Sequence, residues 1–427
     1  MQNLLLCISL SLISGLLMSR LAKKIGLPAV TAYLVTGLLL GPYCIGRLGL
    51  PGVGFHTMDD VSFLGLISEM ALGFIAFTIG NEFRVGELRK MGRQAITVGI
   101  LQAVVTTVVV DVALIGFHFV FPAALSLPSA ITLGAIAAAT APAATLMVVR
   151  QYQADGPLTR LLLMVVAIDD AVGLVLFSGS FGVANALEQG GISVISVVVE
   201  PILEIVFSLL LGAVAGYILD WSERYFHSRG NRISMTVAFV LLTVGLSMVE
   251  FDLGPVHCGF SLLLVCMMTG TIFCNICETS AVLIERLDRW TTPLSILFFV
   301  LSGAELDLQI LRSPMVLLIG AIYILVRAAG KILGAYGSCA MTGCEPRIQK
   351  YLGITLLPQA GVALGMALTA AALSDGAMVR NVVLFSVLVY ELVAPTLTKN
   401  ALLAAGELHS EELLAQVQAR KERKSRA

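Results

Sequence analysis

Residues Leu161–Phe181 read LLLMVVAIDDAVGLVLFSGSF, an apolar segment long enough to cross a bilayer, with Asp169 and Asp170 near its middle. A charge at the centre of a membrane helix costs at least ~2.5 to 3.5 kcal/mol on insertion scales, so such residues face a cavity or a partner. A proton or a metal cation can neutralise a carboxylate. The pair is therefore the first candidate for an ion and proton site.

Composition places the rest of the chain in the membrane as well. Hydrophobic residues make up 57% of the 427 residues and charged residues 13%, whereas soluble domains carry roughly 25% charged residues. Spans of about 20 residues leave room for about a dozen helices and no second folded domain. The composition predicts an all-α polytopic membrane protein. We expect it not to be an enzyme and to have no cofactor and no nucleic-acid partner. The CxxC formed by Cys274 and Cys277 lacks the second ligand pair that a zinc site requires.

Hydropathy predicts about thirteen transmembrane helices. The first apolar segment has no basic residues before it and no cleavage site after it, so we expect it to be a span that starts outside rather than a signal peptide. The predicted spans cover approximately residues 2–19, 28–41, 61–80, 95–119, 128–149, 161–181, 196–220, 233–250, 256–274, 291–306, 314–340, 351–373 and 379–402.

The distribution of basic residues supports this count and orientation. With the first loop in the cytoplasm, all but five of the 27 basic residues fall in cytoplasmic segments. The five exceptions are Arg47, Arg312 and Arg380 outside, and Arg327 and Lys331 within a span. Because cytoplasmic loops carry the excess of Lys and Arg, the pattern predicts an outer N-terminus and a cytoplasmic C-terminus.

Helix-breaking residues suggest an internal repeat. Pro142 lies at mid-depth in the fifth span, and Pro358 and Gly361 lie at a similar depth in the twelfth. Interrupted helices at matching positions of two halves point to a transporter binding site, although a proline also simply kinks many membrane helices. The spans then form two inverted six-helix repeats, with the seventh span as a connecting helix.

Two cations in one span are candidate partners for the acids. Arg327 and Lys331 are four residues apart, so they share one helix face. Neighbouring helix residues point about 100° apart, so Lys331 can pair with one aspartate while the other faces water and the substrate ion. The alternative for Lys331 is snorkelling to the cytoplasmic surface. Arg327 needs a permanent carboxylate or carbonyl partner; Glu69 and Glu391 are the candidate carboxylates, and its role is mainly structural.

Six segments, in order along the chain, carry a resemblance to a known family. They are LAKKIGLPAVTAYLVTGLLLGP, ISEMALGFIAFTIGNEF, ATAPAAT, AIDDAVG, RAAGK and LLPQAGVALG. Together they resemble the monovalent cation:proton antiporter superfamily, specifically its bacterial branch with paired aspartates, from about residue 10 to residue 400. The sequence differs from potassium-efflux relatives in having no nucleotide-binding domain after the last span, so gating by such a module is not expected.

The resemblance implies a domain layout. It implies one transporter domain over residues 1–402, with two crossing discontinuous helices and a homodimeric assembly. A panel for dimerisation is expected over about 1–80 and 233–306, a mobile ion-transport core over about 95–181 and 314–402, and a connector helix over about 196–220. Residues 403–427 form a short cytoplasmic tail, whose basic end is expected to touch anionic lipid or to act as a stop-transfer flank.

The resemblance also implies roles for single residues. Asp170 matches the principal cation ligand, Asp169 matches the acid that pairs with the lysine at 331, and Thr140 lies beside the site. The combination of two aspartates and a lysine usually marks electrogenic exchange. The expected function is antiport of a monovalent cation, sodium first with potassium and lithium as alternatives, against protons, and its physiological setting is pH homeostasis.

Competition for one carboxylate explains how such an exchange is coupled. Burial favours the protonated acid, whereas a bound cation favours the carboxylate, so proton and cation exclude each other. Alternating access then carries one or the other across. Two other classes stay open from the residues alone: a channel-like or gated potassium efflux protein, and a non-transporting sensory relative. The first would lack opposite proton movement, and the second should have lost an aspartate or the lysine.

Overall fold

The computed structural model describes residues 2–24, 27–49, 53–141, 145, 148–149, 152, 154–188, 199–226, 228–249, 251–253, 256–307 and 313–408. The helices of the first half are α1 Gln2–Lys24, α2 Ala29–Leu40, α3 Met58–Ser62, α4 Gly65–Glu82, α5 Val85–Val120, α6 Leu127–Ile136, α7 Pro157–Glu188 and α8 Glu200–Glu223. Those of the second half are α9 Arg229–Ser247, α10 Leu262–Ile276, α11 Ser280–Ala304, α12 Pro314–Met341, α13 Pro346–Thr355, α14 Gly361–Thr369 and α15 Gly376–Ala404. Two three-residue strands, β1 Phe251–Leu253 and β2 Val256–Cys258, pair antiparallel between α9 and α10.

The structure confirms the all-α membrane fold. Within the described residues, eight helices are long and apolar enough to cross a bilayer, and four shorter apolar helices accompany them. Large apolar side chains such as Leu5, Leu17 and Leu210 are more than half exposed, as expected for surfaces that face lipid or a partner. The count of thirteen spans is not confirmed, and it stays a prediction.

Two predicted spans do not form continuous helices. The fifth span contains α6, which ends at Ile136, and residues 139–141 that follow are not helical. The twelfth span is divided into α13 and α14 by residues 356–360, which include Pro358. The predicted interruption is therefore present in the second half. Pro142 lies outside the described residues, so the break predicted at that proline stays a prediction.

Close contacts between helix backbones hold α2 against α11. A Cβ added to Gly37 would lie 1.9 Å from the Val300 carbonyl oxygen, and one added to Gly303 would lie 2.1 Å from that of Leu34. Membrane helices use small residues in this way, because lipid provides little hydrophobic drive for association. These glycines let two helices of the predicted panel pack as one layer.

Candidate ion-binding site

Asp169 and Lys331 form a buried ion pair between α7 and α12. Both side chains are fully buried, and Lys331 Nζ lies 2.7 Å from Asp169 Oδ2. Lys331 also donates to Gln102 Oε1 of α5 at 3.1 Å and to the main-chain carbonyl of Ala138. An ammonium group has three donors, so these three acceptors satisfy it completely. The Lys331 side chain therefore does not snorkel to the cytoplasmic surface, which was the alternative considered for it.

Gln102 completes a closed set of contacts that the sequence analysis missed. Its amide nitrogen donates to Asp169 Oδ1 while its amide oxygen accepts from Lys331. A single glutamine in the apolar segment LQAVVTTVVV was the available signal, since a polar side chain at that depth needs a partner. Three helices, α5, α7 and α12, thus meet at one buried polar centre.

Asp170 follows Asp169 directly and is 2% exposed. The two neighbours point in different directions around α7, and the Lys331 ammonium is bonded to Asp169 rather than to Asp170. This is the arrangement expected when one acid of the pair is held by the amine and the other serves the substrate. The role of Asp170 as cation ligand is not tested by its position alone.

The interrupted segments cross beside this pair. The Thr140 hydroxyl donates to the Leu356 carbonyl at 3.2 Å, and the Ala141 amide donates to the Pro358 carbonyl at 2.9 Å. Gly361 begins α14 immediately after the crossing. Thr140, Pro358 and Gly361 therefore lie together at the crossing, where the Ala141 amide and the Pro358 carbonyl satisfy each other.

Arg327 binds the carbonyls of the crossing, and no carboxylate. Its guanidinium, fully buried, donates to the Ala137 carbonyl at 3.0 Å, to that of Ala139 at 2.7 Å and to that of Leu357 at 2.8 Å. These carbonyls lie just past the C-terminal ends of α6 and α13. Each such end carries about half a negative charge, so a permanent cation is favourable there.

The two carboxylates considered for Arg327 lie elsewhere. Glu391 accepts from the Thr31 hydroxyl at 3.3 Å, and Glu69 lines a cavity that is also lined by α7 and α14. Expecting either of them as the partner was wrong. The sequence does not show which carbonyls lack a hydrogen-bond partner where a helix is interrupted. For that reason the carbonyl alternative could not be preferred in advance.

One stripe of α12 provides most of these contacts. Tyr323, Arg327 and Lys331 recur every four residues, so they share a face. Gln359, in the crossing segment, donates to Tyr323 Oη at 3.0 Å and to the Ile136 carbonyl at 3.2 Å. The roles of Tyr323 and Gln359 were also missed. A polar residue beside Pro358 in an otherwise apolar span was the usable signal for Gln359.

Two cavities lie on successive turns of α4. The first, about 320 Å³, is lined by Leu72 together with Glu69, Ser178, Glu204, Ser261 and Thr369 among others. The second, about 330 Å³, is lined by Ile75 together with Tyr33, Thr78 and Asp288 among others. Leu72, which lines the first cavity, packs against α14 so closely that a Cβ on Gly365 would lie 2.2 Å from its Cδ1. The described residues that line the second cavity all belong to α2, α4 and α11, which lie within the predicted panel.

Comparison with known proteins agrees with this architecture. A structure of the sodium proton antiporter MjNhaP1 from Methanocaldococcus jannaschii at pH 8 matches with a TM-score of 0.71 and 18% identity, covering 94% of this chain and 99% of that one. A structure from an electron-microscopy map of the same antiporter matches with a TM-score of 0.64 and 18% identity, covering 94% and 98%. At this identity the likeness shows the fold. The model of the family described as "sodium/hydrogen exchanger, transmembrane" matches residues 8–404, and the chain belongs to that family.

Proposed function

We propose that this protein is an electrogenic antiporter that exchanges a monovalent cation, sodium in the first place with potassium and lithium as alternatives, for protons. The observation that carries the proposal is the buried Asp169–Lys331 pair at 2.7 Å, with Asp170 beside it and two interrupted helices crossing at the same depth. Membership of the exchanger family supports the coarser assignment to cation:proton antiport. Asp170 is the proposed cation ligand.

Asp170 can hold a proton or a cation, and the two exclude each other. A cation bound to the carboxylate disfavours protonation, and a proton removes the charge that the cation needs. Thr140 is proposed to lie beside the bound ion. Its hydroxyl hydrogen is directed to the Leu356 carbonyl, so its oxygen lone pairs stay available to a cation.

Lys331 is the proposed reason for charge movement. Its ammonium is bonded to Asp169 when Asp169 is ionised. Binding of the cation and release of protons therefore alter the total charge of a buried group of four ionisable side chains. These are Asp169, Asp170, Arg327 and Lys331. Exchange of two protons for one cation moves one charge per cycle. The membrane potential then contributes about 2.3 kcal/mol per 100 mV to each turnover.

The proposal includes the surroundings of the transporter. The core segments move past the panel segments, two chains associate through the panel, and lipid surrounds the assembly in a bacterial plasma membrane. The N-terminus lies outside and the tail lies in the cytoplasm. The first cavity, lined by α4 of the predicted panel and by α7 and α14 of the predicted core, supports a pathway between the two parts.

The test is cation-driven proton flux in proteoliposomes. We expect Asp170→Asn to abolish exchange with sodium, potassium and lithium while the protein still elutes as a folded species. Glu285→Gln is the matched control, since Glu285 is 68% exposed and pairs with Arg289 on its own helix. Cation uptake by Asp170→Asn that keeps its pH dependence would overturn the site assignment.

Voltage measurements separate the alternatives. A voltage-sensitive dye should report a potential during wild-type turnover, and an imposed potential should change its rate. Neutral turnover would remove the electrogenic part of the proposal. Cation flux without opposite proton movement would indicate the channel-like alternative instead.

A further inference from the structure

Glu391 is a buried carboxyl group that the ion site described above does not use. It lies on α15 and is 1% exposed. Its Oε2 accepts a hydrogen bond from the Thr31 hydroxyl of α2 at 3.3 Å, and its Oε1 has no hydrogen-bond partner among the described residues. Buried polar atoms are nearly always hydrogen-bonded, so an exception of this kind calls for an explanation.

The described surroundings of Glu391 contain no cation that could compensate an ionised carboxylate. The elements packed against α15 are α2, α6, α12, α13, α14 and the turn at 370–372. Their titratable side chains are Tyr33 on α2, Tyr323, Arg327, Lys331, Tyr336 and Cys339 on α12, and Arg347, Lys350 and Tyr351 on α13; α15 itself adds Arg380, Tyr390 and Lys399. None of the cations among these described residues forms an ion pair with Glu391.

The nearest candidate, Arg327, is occupied. Its guanidinium lies over the ring of Tyr390, 4.6 Å from the centroid, and donates to three main-chain carbonyls. Lys331 is held by Asp169. Burying an ionised carboxylate without a cation costs far more than burying the neutral acid, so Glu391 carries a proton in this conformation.

The Glu391–Thr31 contact bridges the two parts that are proposed to move. Thr31 belongs to the predicted panel and Glu391 to the predicted core. Val30, next to Thr31, packs against Ala141 and Ala360 of the crossing segments. A shift of the core past the panel therefore separates the Glu391 carboxyl from the Thr31 hydroxyl at a point directly beside the ion site.

We infer that Glu391 is a second proton-binding group of the exchange cycle, distinct from Asp169 and Asp170; this inference rests on the proposed function. When the core moves relative to the panel, water reaches the carboxyl group. The O–H bond breaks, its electrons stay on the carboxylate, and the proton passes to water. Before the carboxylate returns to its buried place beside Thr31, it takes a proton back.

The group is suited to a proton rather than to an alkali metal ion. Hard cations are held by several oxygen ligands at once. The Thr31 hydroxyl is the one side-chain oxygen that contacts the Glu391 carboxyl among the described residues. Its hydrogen points toward Glu391, which suits a carboxyl oxygen and opposes a cation.

Infrared spectroscopy of the protein in lipid tests the protonation directly. At neutral pH, wild type should show the C=O stretch of a protonated carboxylic acid, and Glu391→Gln should lose that component. Glutamine has nearly the same shape and can still accept from Thr31, so this variant should fold. The control Glu285→Gln, which removes a solvated carboxylate, should leave the component unchanged.

The second measurement shows whether the proton takes part in exchange. One coupled proton changes the apparent sodium affinity by about tenfold per pH unit. In Glu391→Gln the change in apparent sodium affinity per pH unit should therefore be about tenfold smaller than in wild type. If this variant does not transport, protons released on adding sodium chloride to the purified protein give the same count without turnover.

Both results are required. Persistence of the infrared component in Glu391→Gln would overturn the protonation. Loss of the component with an unchanged pH dependence, or an unchanged proton release, would show that the proton is static and overturn the inference. If the proposed function is wrong, exchange stays intact in Asp170→Asn. That result distinguishes its failure from a failure of the inference about Glu391.

Discussion

Replacing Arg327 with methionine should destabilise the protein severely. The substitution keeps an unbranched side chain but removes the donors to the Ala137, Ala139 and Leu357 carbonyls. Each buried carbonyl left without a donor costs about 1–3 kcal/mol, which gives about 3–9 kcal/mol for three. Domain stabilities are about 5–15 kcal/mol. We therefore expect little folded Arg327→Met to survive extraction into detergent.

Two companion variants make this prediction specific. Arg327→Lys keeps the charge facing the helix ends but lacks the planar fork of the guanidinium, so it should keep only part of the three bonds and fold with an intermediate loss of stability. Tyr323→Phe, one turn away on the same face of α12, loses a single neutral hydrogen bond with Gln359, worth about 0.5–1.5 kcal/mol. The order of stability should be wild type, Tyr323→Phe, Arg327→Lys, Arg327→Met.

Thermal unfolding in detergent, followed by size-exclusion chromatography, measures this order. A loss of 1 kcal/mol lowers the midpoint by about 2–4 °C in domains of 150–250 residues, so several kcal/mol should be evident as a shift of more than about 5 °C. If the unfolding midpoint of Arg327→Met shifts no further than that of Tyr323→Phe, the argument that the arginine holds the crossing together is refuted.

Two further predictions concern contacts on α7. Asp169→Asn and Lys331→Gln should each destabilise by about 3–5 kcal/mol because each leaves a buried charge without its partner, whereas the double variant should recover much of that loss; additive losses in thermal unfolding would contradict a coupled pair. Glu407→Gln should weaken the start of α7 by about 1–2 kcal/mol, because the carboxylate accepts from the Leu158 amide at 2.6 Å and the Thr159 amide at 2.7 Å. Hydrogen exchange of those two amides should then accelerate, and unchanged protection would exclude this capping role.

The pairing of one aspartate with Lys331 could be predicted because charges within a membrane segment are few. A buried amine at that depth needs an acid, and adjacent acids cannot both reach it. The interruption of the twelfth span could be predicted for a local reason, since Pro358 lacks a donor and breaks the hydrogen-bond ladder. Both predictions follow from a short stretch of chain.

Other contacts could not be predicted because they depend on where distant segments end. The carbonyls bound by Arg327 become available only because α6 and α13 stop close together, and no residue type marks a carbonyl. Gln102 stands out as a polar residue in an apolar segment, but the sequence does not show which partners it meets. Thr31 and Glu391 are separated by 360 positions, and their contact follows from the packing of α2 against α15. The span count, the dimer and the domain motion stay predictions.

The distribution of strong contacts indicates where the molecule can divide. Inside the core, separation of α7 from α12 breaks a buried ion pair, worth about 3–5 kcal/mol when one partner is lost. Separation of α12 from the crossing breaks three bonds of a charged donor, about 1.5–3 kcal/mol each. The boundary between the predicted panel and the predicted core, here called the seam, has weaker polar contacts among the described residues: Thr31–Glu391 at 3.3 Å, Ser178–Ser261 at 3.0 Å, and the partly exposed Arg380–Glu305 at 3.4 Å.

Apolar packing does not prevent movement along that seam. Leu72 faces Gly365, and Phe299 lies 3.5 Å from the place of a Cβ on Gly361. Hydrophobic burial is non-directional, so a core that slides exchanges one set of apolar neighbours for another at little cost. The Asp169–Lys331 ion pair and the Arg327 contacts have no substitute partners among the described residues. These described contacts therefore favour division between the predicted panel and the predicted core over division within the predicted core, and we predict that the ion site moves as one piece with its crossing segments.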